Sequence, residues 1–174
     1  MNTKEWLSKI SDKAELQHWL TRQYIGEITA ARRIKNLAET APEKYREILL
    51  KIAKDELQHS NWVMELLVTR NIPVPTVSDM IDAENRYWKP ILKEVRSFDE
   101  ITAAGHHAEG MRLVRIRALA SCDKIDEDIR SVFQKILPDE EMHERAFKAM
   151  SSKEAVDTMR EYHEAGLDLL GLEI

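Results

Sequence analysis

Apolar residues recur at three- and four-residue spacing along most of the chain, interrupted by a few short polar or proline-bearing segments. That period belongs to helices with one buried face. The first helix is predicted to begin after Ser11-Asp12, where the aspartate can cap it, and to run through Glu27 to about Glu39. Its inward positions are Leu16, Trp19, Leu20, Ile28, Ala31 and Leu37. Thr40-Ala41-Pro42 forms a short turn, and a second helix follows from about Glu43 to Thr69, with Leu49, Ile52, Leu57, Val63, Leu66 and Leu67 as core candidates. So short a connection makes the two helices antiparallel neighbours. Asn71-Ile72-Pro73-Val74-Pro75 cannot continue a helix, because both prolines lack the amide hydrogen. The segment from Ser78 to Ser97, with Met80, Ile81, Tyr87, Trp88, Ile91 and Leu92, is predicted to be a long crossover containing helix broken near Pro90. A third long helix is predicted from Phe98 to Ser121, capped by Ser97, and a fourth from about Asp126 to Met150 with Pro138 inside it. A last helix, about Ser152 to Leu170, carries Val156, Met159, Leu167 and Leu170 and is expected to lie against the others.

The chain has 174 residues, which suits one all-α domain spanning 1–174, with a bundle over about 12–150. Only five glycines and five prolines, with 33% charged residues, agree with long amphipathic helices. A net charge of -5 gives no reason to expect nucleic acid as a partner. The lone Cys122 excludes an internal disulfide framework and a cysteine-rich metal site, and fits a reducing compartment. Met1-Asn2-Thr3-Lys4-Glu5-Trp6 lacks the apolar core of a signal peptide, and no apolar run is long enough to span a bilayer. The expectation is a cytoplasmic protein with no membrane partner.

Two copies of Asp-Glu-x-x-His change the picture. Asp55-Glu56-Leu57-Gln58-His59 and Asp139-Glu140-Glu141-Met142-His143 stand 84 residues apart. A lone glutamate precedes each on another predicted helix: Glu27 lies 29 residues before Glu56, and Glu109 lies 31 before Glu140. Residues three apart share a helix face, so each glutamate points the same way as its histidine. Four carboxylates and two imidazoles from four helices make the ligand set of a dinuclear metal centre. Two divalent ions would neutralise carboxylates that are otherwise costly to bury, and oxygen with imidazole ligation suits iron or manganese. Asp55 and Asp139 can each accept the outer N–H of the histidine from the other half, Asp55 from His143 and Asp139 from His59, or else remain solvated or make ordinary ion pairs. Glu15-Leu16-Gln17-His18 repeats the tetrapeptide of 56–59, but His18 falls about 180° around its helix from Glu27 at ~100° per residue and cannot join the cluster.

These residues resemble the ferritin-like di-iron carboxylate superfamily over roughly 12–150. The resemblance implies a ferritin-like four-helix bundle with a long crossover and an additional C-terminal helix, holding two non-haem iron ions per chain or a mixed iron and manganese pair. It also implies Glu27 and Glu109 as terminal ligands, Glu56 and Glu140 as bridges, and His59 and His143 each on one metal. Three branches fit. Lys135-Ile136-Leu137-Pro138-Asp139-Glu140-Glu141-Met142-His143, and Glu65-Leu66-Leu67 leading to Ile72-Pro73, are similar to bacterioferritins, which store iron in shells. Their haem-ligating methionine corresponds to Leu57, so no haem is expected. Ala103-Ala104-Gly105-His106-His107-Ala108-Glu109 resembles the third helix of rubrerythrins, which reduce peroxide, with His106 where they carry a glutamate. Their rubredoxin domain needs four cysteines, which this chain does not have.

The third branch activates O2 to oxidise a small organic substrate, with electrons from an external donor; it is the favoured expectation. His106 shares the face of Glu109 and is a candidate seventh ligand or acid–base group, or an ordinary hydrogen-bonded histidine; His107 reads as structural or exposed. Tyr24 and Trp62, each one turn from a ligand, are pocket candidates or plain core. Arg112, three residues after Glu109, faces an anionic substrate or Glu141, or belongs with Arg115 and Arg117 to a solvated face. Pro138 is expected to kink the fourth helix and free a carbonyl near the site. A homo-oligomer is compatible with all three branches.

Overall fold

The computed structural model describes the backbone of residues 3–169, and the side chains of these except 82–85 and 168–169. Leu170 of the predicted last helix lies outside the described residues. Those described form eight helices and no strand: α1 (Thr3–Lys9), α2 (Lys13–Thr40), α3 (Glu43–Thr69), α4 (Val77–Arg86), α5 (Trp88–Glu94), α6 (Phe98–Ala120), α7 (Glu127–Ala149) and α8 (Lys153–Leu169). The four long helices α2, α3, α6 and α7 fall within a residue or two of the predicted bounds, because their ends carry local stop and start signals. Asp12 accepts from the amides of Ala14 and Glu15. Ser97 and Glu100 complete a reciprocal capping box at the head of α6. At the end of α3, Asn71 takes a left-handed φ of 56°, a conformation asparagine tolerates, and the Ile72 amide bonds back to the Leu67 carbonyl at 2.8 Å.

α2 packs on α3, α6 on α7, and α3 meets α7 across the bundle, while α8 lies along α6. Arg70, just past α3, holds Asp126 at 2.7 Å and Asp128 at 2.5 Å, which ties the end of α3 to the start of α7. Of three apolar clusters among the described residues, one packs Tyr87, Ile91 and α8 onto α6, and the other two fill the interior at different heights. One includes Leu20, Ile25, Val63, Leu67, Ile116, Ile129 and Phe133; the other includes Ile34, Ala38, Leu49, Ile52 and Phe147. Glu27, Glu56, His59, Glu140 and His143 fall in sequence between the two, and all are fully buried. The fold therefore places a polar layer between two greasy ones.

The structure adds to the expectations or revises them at four places. α1 was not foreseen; Trp6 and Ile10 are buried, and Trp6 meets Trp19 edge-on at 5.5 Å. The crossover is helix broken at Tyr87, between α4 and α5, three residues before Pro90. Pro90 sits in the first turn of α5, where the missing amide hydrogen would have had no partner. Leu57 is 47% exposed instead of buried, since the inward face of α3 runs through Ile52, Glu56, His59 and Val63. α7 continues through Pro138, which is exposed, as is Gln134 four residues earlier. The carbonyl freed by the proline ring thus belongs to a solvent-facing turn, away from the buried face of α7.

The crossover is pinned by one buried polar pair. The Tyr87 hydroxyl donates to His163 Nδ1 of α8 at 2.6 Å, and the Tyr87 ring lies against Gly166, where an added Cβ would stand 2.9 Å from Tyr87 Cδ2. Burial, with His107 and His106 nearby, pushes the His163 imidazole down to about 4, so it is neutral and free to accept. A depressed imidazole contributes stability above its ordinary value of 6.5 and loses it as pH falls toward the folded value. Urea unfolding should therefore show the advantage of wild type over His163→Gln shrinking between pH 7 and pH 4.5. The helical glycines should separate by sign. At Gly105 a Cβ would meet the buried Phe147 ring at 2.9 Å, and Gly105→Ala should cost about 1–3 kcal/mol. Gly26 and Gly110 have open space, so alanine there should gain about 0.5–1 kcal/mol in the same assay.

Candidate metal centre

α2 brings Glu27 to the centre of the bundle, α3 brings Glu56 and His59, α6 brings Glu109, and α7 brings Glu140 and His143. Glu27, Glu56, His59 and Glu140 offer ligand atoms all within 4.8 Å of one another. His143 joins them through Nδ1, which lies 3.0 Å from Glu56 Oε1 and 3.9 Å from Glu140 Oε2. His59 Nδ1 faces Glu140 Oε1 at 3.4 Å and Glu27 Oε2 at 3.6 Å. The structure thus brings all the proposed ligand helices to one point, with both Nδ1 atoms turned inward.

The outer nitrogens reach across the bundle. His59 Nε2 lies 3.3 Å from Asp139 Oδ2, and His143 Nε2 lies 3.3 Å from Asp55 Oδ2. Each aspartate accepts the Nε2 proton, which fixes the ring with Nδ1 directed into the cluster; that nitrogen becomes a ligand once it gives up its own proton. Asp55 is itself held by Lys51 Nζ at 2.5 Å; burial raises this carboxyl, but the bonds from Lys51 and His143 outweigh it and keep it below its ordinary range.

Arg112 lies inside the cluster, not on a solvated face, and it does not meet Glu141. Nη2 is 2.5 Å from Glu27 Oε2 and 3.0 Å from Glu140 Oε1, and Nη1 is 3.3 Å from both Glu56 Oε2 and Glu109 Oε2. Glu141 pairs instead with the exposed Arg117 at 2.9 Å. One guanidinium therefore touches all four glutamates. Even so, Glu56 Oε1, Glu140 Oε2 and both histidine Nδ1 atoms are buried without a hydrogen bond, and Glu27 Oε2 has its ion pair with Arg112 but no hydrogen bond either. Buried orphans of this kind are uncommon and costly. Five of them converging, all oxygen or imidazole nitrogen, fit a hard divalent ion such as iron or manganese.

The protonation pattern is strained in the same direction. Burial pushes Glu56 up to about 7 despite Arg112, with the charges of Glu27 and Glu109 adding to the rise. Burial likewise holds Glu140 well above the carboxylate range. Burial disfavours charged His59, but Glu140 and Glu27 outweigh it and raise it to about 11; Glu56 does the same for His143, to about 9. Protons and guanidinium together balance the carboxylates, and an incoming metal would have to displace protons.

The remaining candidates separate clearly. His106 turns away: its Nδ1 lies 2.9 Å from Glu144 Oε1, at the partly exposed edge. Its rise along α6 from Glu109 is right, but one more residue of α7 intercepts it. His107 bonds the Val156 carbonyl at 2.8 Å, and His18 is exposed. Trp62 stacks on His59 with ring centroids 5.8 Å apart, while Tyr24 is buried in the apolar cluster with Leu20 and Val63. Gln23 was missed; its Nε2 sits 2.5 Å from Glu27 Oε1. Its place one turn before Glu27 was the available signal.

Among the described residues no helix is long and apolar enough to cross a membrane. A family model described as Rubrerythrin matches residues 18–151. No curated protein and no solved structure matches the chain. The contact to Glu144 leads to a definite outcome for the third-helix histidine: His106→Ala should leave the number of metal ions bound per chain unchanged by elemental analysis. A loss of metal from that variant would return His106 to the ligand set.

Proposed function

Because this chain belongs to the rubrerythrin family, we propose that it is a non-haem di-iron oxidoreductase that uses O2 or peroxide, acting as an oxidase or oxygenase on a small organic molecule. The observation that carries the metal part is the set of five buried oxygen and nitrogen atoms without hydrogen bonds, converging from three helices. Glu27 and Glu109 are assigned as terminal carboxylates, Glu56 and Glu140 as bridges, and His59 and His143 as one nitrogen ligand each through Nδ1. A reduced iron pair bound there would supply two electrons to O2 or peroxide. The chain's own part is to hold that pair. Asp139 and Asp55 orient the two imidazoles, the apolar clusters on either side keep water from the layer, and Trp62 covers His59. Electrons for each turnover would come from an external donor.

The choice of reaction rests on a departure at one position. Where rubrerythrins carry a second third-helix glutamate, this chain has His106, and that side chain faces Glu144 instead of the cluster. A peroxide-reducing reading is supported by the family match itself. Anaerobic reduction of the iron-loaded protein, followed by O2 or peroxide in separate stopped-flow runs, distinguishes them. Faster reoxidation by O2, stimulated by an organic substrate, is the expected result; preference for peroxide would sink the oxygenase assignment. A particle storing far more than two irons per chain would point to ferroxidase and storage.

The ligand assignment has its own check. Glu56→Ala or His143→Ala should abolish the dinuclear site, and Asp139→Asn should lower metal affinity by about 10–100-fold while leaving the fold intact. Competitive chelator titration measures both; undiminished binding of two ions by His143→Ala would show the assignment to be wrong.

A further inference from the structure

Arg112 breaks the symmetry of the two halves. Three residues after Glu109 stands an arginine, while three after its counterpart Glu27 stands the buried Ala30. The guanidinium does not sit evenly between the two histidines. Nη2 contacts Glu27 Oε2 and Glu140 Oε1, and it also reaches Glu56 Oε2 at 3.4 Å. The first two of these are the oxygens that His59 Nδ1 faces. On the other side His143 Nδ1 faces Glu56 Oε1 and Glu140 Oε2, which like Glu27 Oε2 make no hydrogen bond but, unlike it, are not the oxygens that Arg112 pairs with.

We infer that Arg112 is an internal counter-cation that competes with metal for the Glu27–His59 position, so that the two positions fill in order, the His143 side first. The inference rests on the dinuclear reading above. An ion bound by oxygens takes them at about 2.0–2.2 Å and at full charge. On the Glu27 side it would share both oxygens with a guanidinium already in contact with them, and like charges at that range repel strongly in a dry interior. On the His143 side the ligand oxygens are not held by Arg112. The second ion therefore enters only as Arg112 swings out. Its side chain is 14% exposed, so part of it already reaches the surface. The same contact gives the chain a reason to keep an arginine here: it balances the buried carboxylates whenever metal is scarce.

The test is an equilibrium titration of the full-length apoprotein with Mn(II), with free ion counted by electron paramagnetic resonance. Wild type should bind two ions in two resolved steps, the second weaker by about tenfold or more. Arg112→Gln, which keeps polarity and loses charge, should strengthen the second step by about tenfold and lower the melting temperature of the apoprotein. Arg112→Lys, which keeps a charge, should retain the two-step profile. A single step for both ions in wild type, or identical second steps in wild type and Arg112→Gln, would overturn the inference while leaving the dinuclear site standing. No tight binding by any of the three proteins would overturn the dinuclear reading and the inference with it. Because wild type alone gives the first readout, poor folding of a variant does not remove the test.

Discussion

Everything in this bundle is arranged around the cost of burying four carboxylates in one layer. An unpaired carboxylate removed from water is penalised by several kcal/mol, more than a typical hydrogen bond returns. Glu27, Glu56, Glu109 and Glu140 come from four separate helices, so their repulsion acts directly against closure of the bundle. Positive charge at that point is a condition of folding as well as of chemistry. Arg112 and the two inner imidazoles provide it in the present arrangement, and the same oxygens are what a pair of divalent ions would need. Stability and metal binding are thus two demands on one set of atoms.

The apolar clusters explain why the demand is so sharp. With Leu20, Val63 and Phe133 on one side and Ile34, Leu49 and Phe147 on the other, the polar layer has little water to lean on. The aspartates sit where the layer meets solvent, Asp55 partly buried and Asp139 more exposed. They are the wet end of a chain of contacts whose dry end is the histidine Nδ1. The chain belongs to the rubrerythrin family, and in it this gradient from exposed aspartate to buried nitrogen turns both imidazoles toward the cluster.

The long helices were legible because each boundary carries its own chemistry: an aspartate or serine at the start, or an asparagine and prolines at the end. The buried layer of glutamates and histidines was legible because glutamate and histidine three apart, repeated in both halves, have a geometric meaning that survives without coordinates. What was not legible depended on reach or on competition. Arg112 has a long side chain, and its neighbours Arg115 and Arg117 give the segment the look of a wetted surface; only the packing shows that the first of the three turns inward. His106 lay on a plausible face but met Glu144 first. Leu57 matched the hydrophobic period and still fell outside it, because the buried stripe of α3 is set by the polar ligands and not by the leucines. Pro90 marked the break in the crossover to within three residues, at Tyr87.

The crosswise contacts carry one more consequence. Each histidine takes its orienting aspartate from the opposite half, and Asp55 and Asp139 occupy the same offset in their motifs. Such an exchange is self-complementary in the way an isologous interface is: residue i meets residue j, and j meets i. A lone helix pair could not orient its own imidazole, yet two identical pairs docked about a twofold axis would satisfy both at once. The architecture therefore has the form of a dimer written on a single chain, and Arg112, standing where the other half has Ala30, is where the two copies cease to be interchangeable.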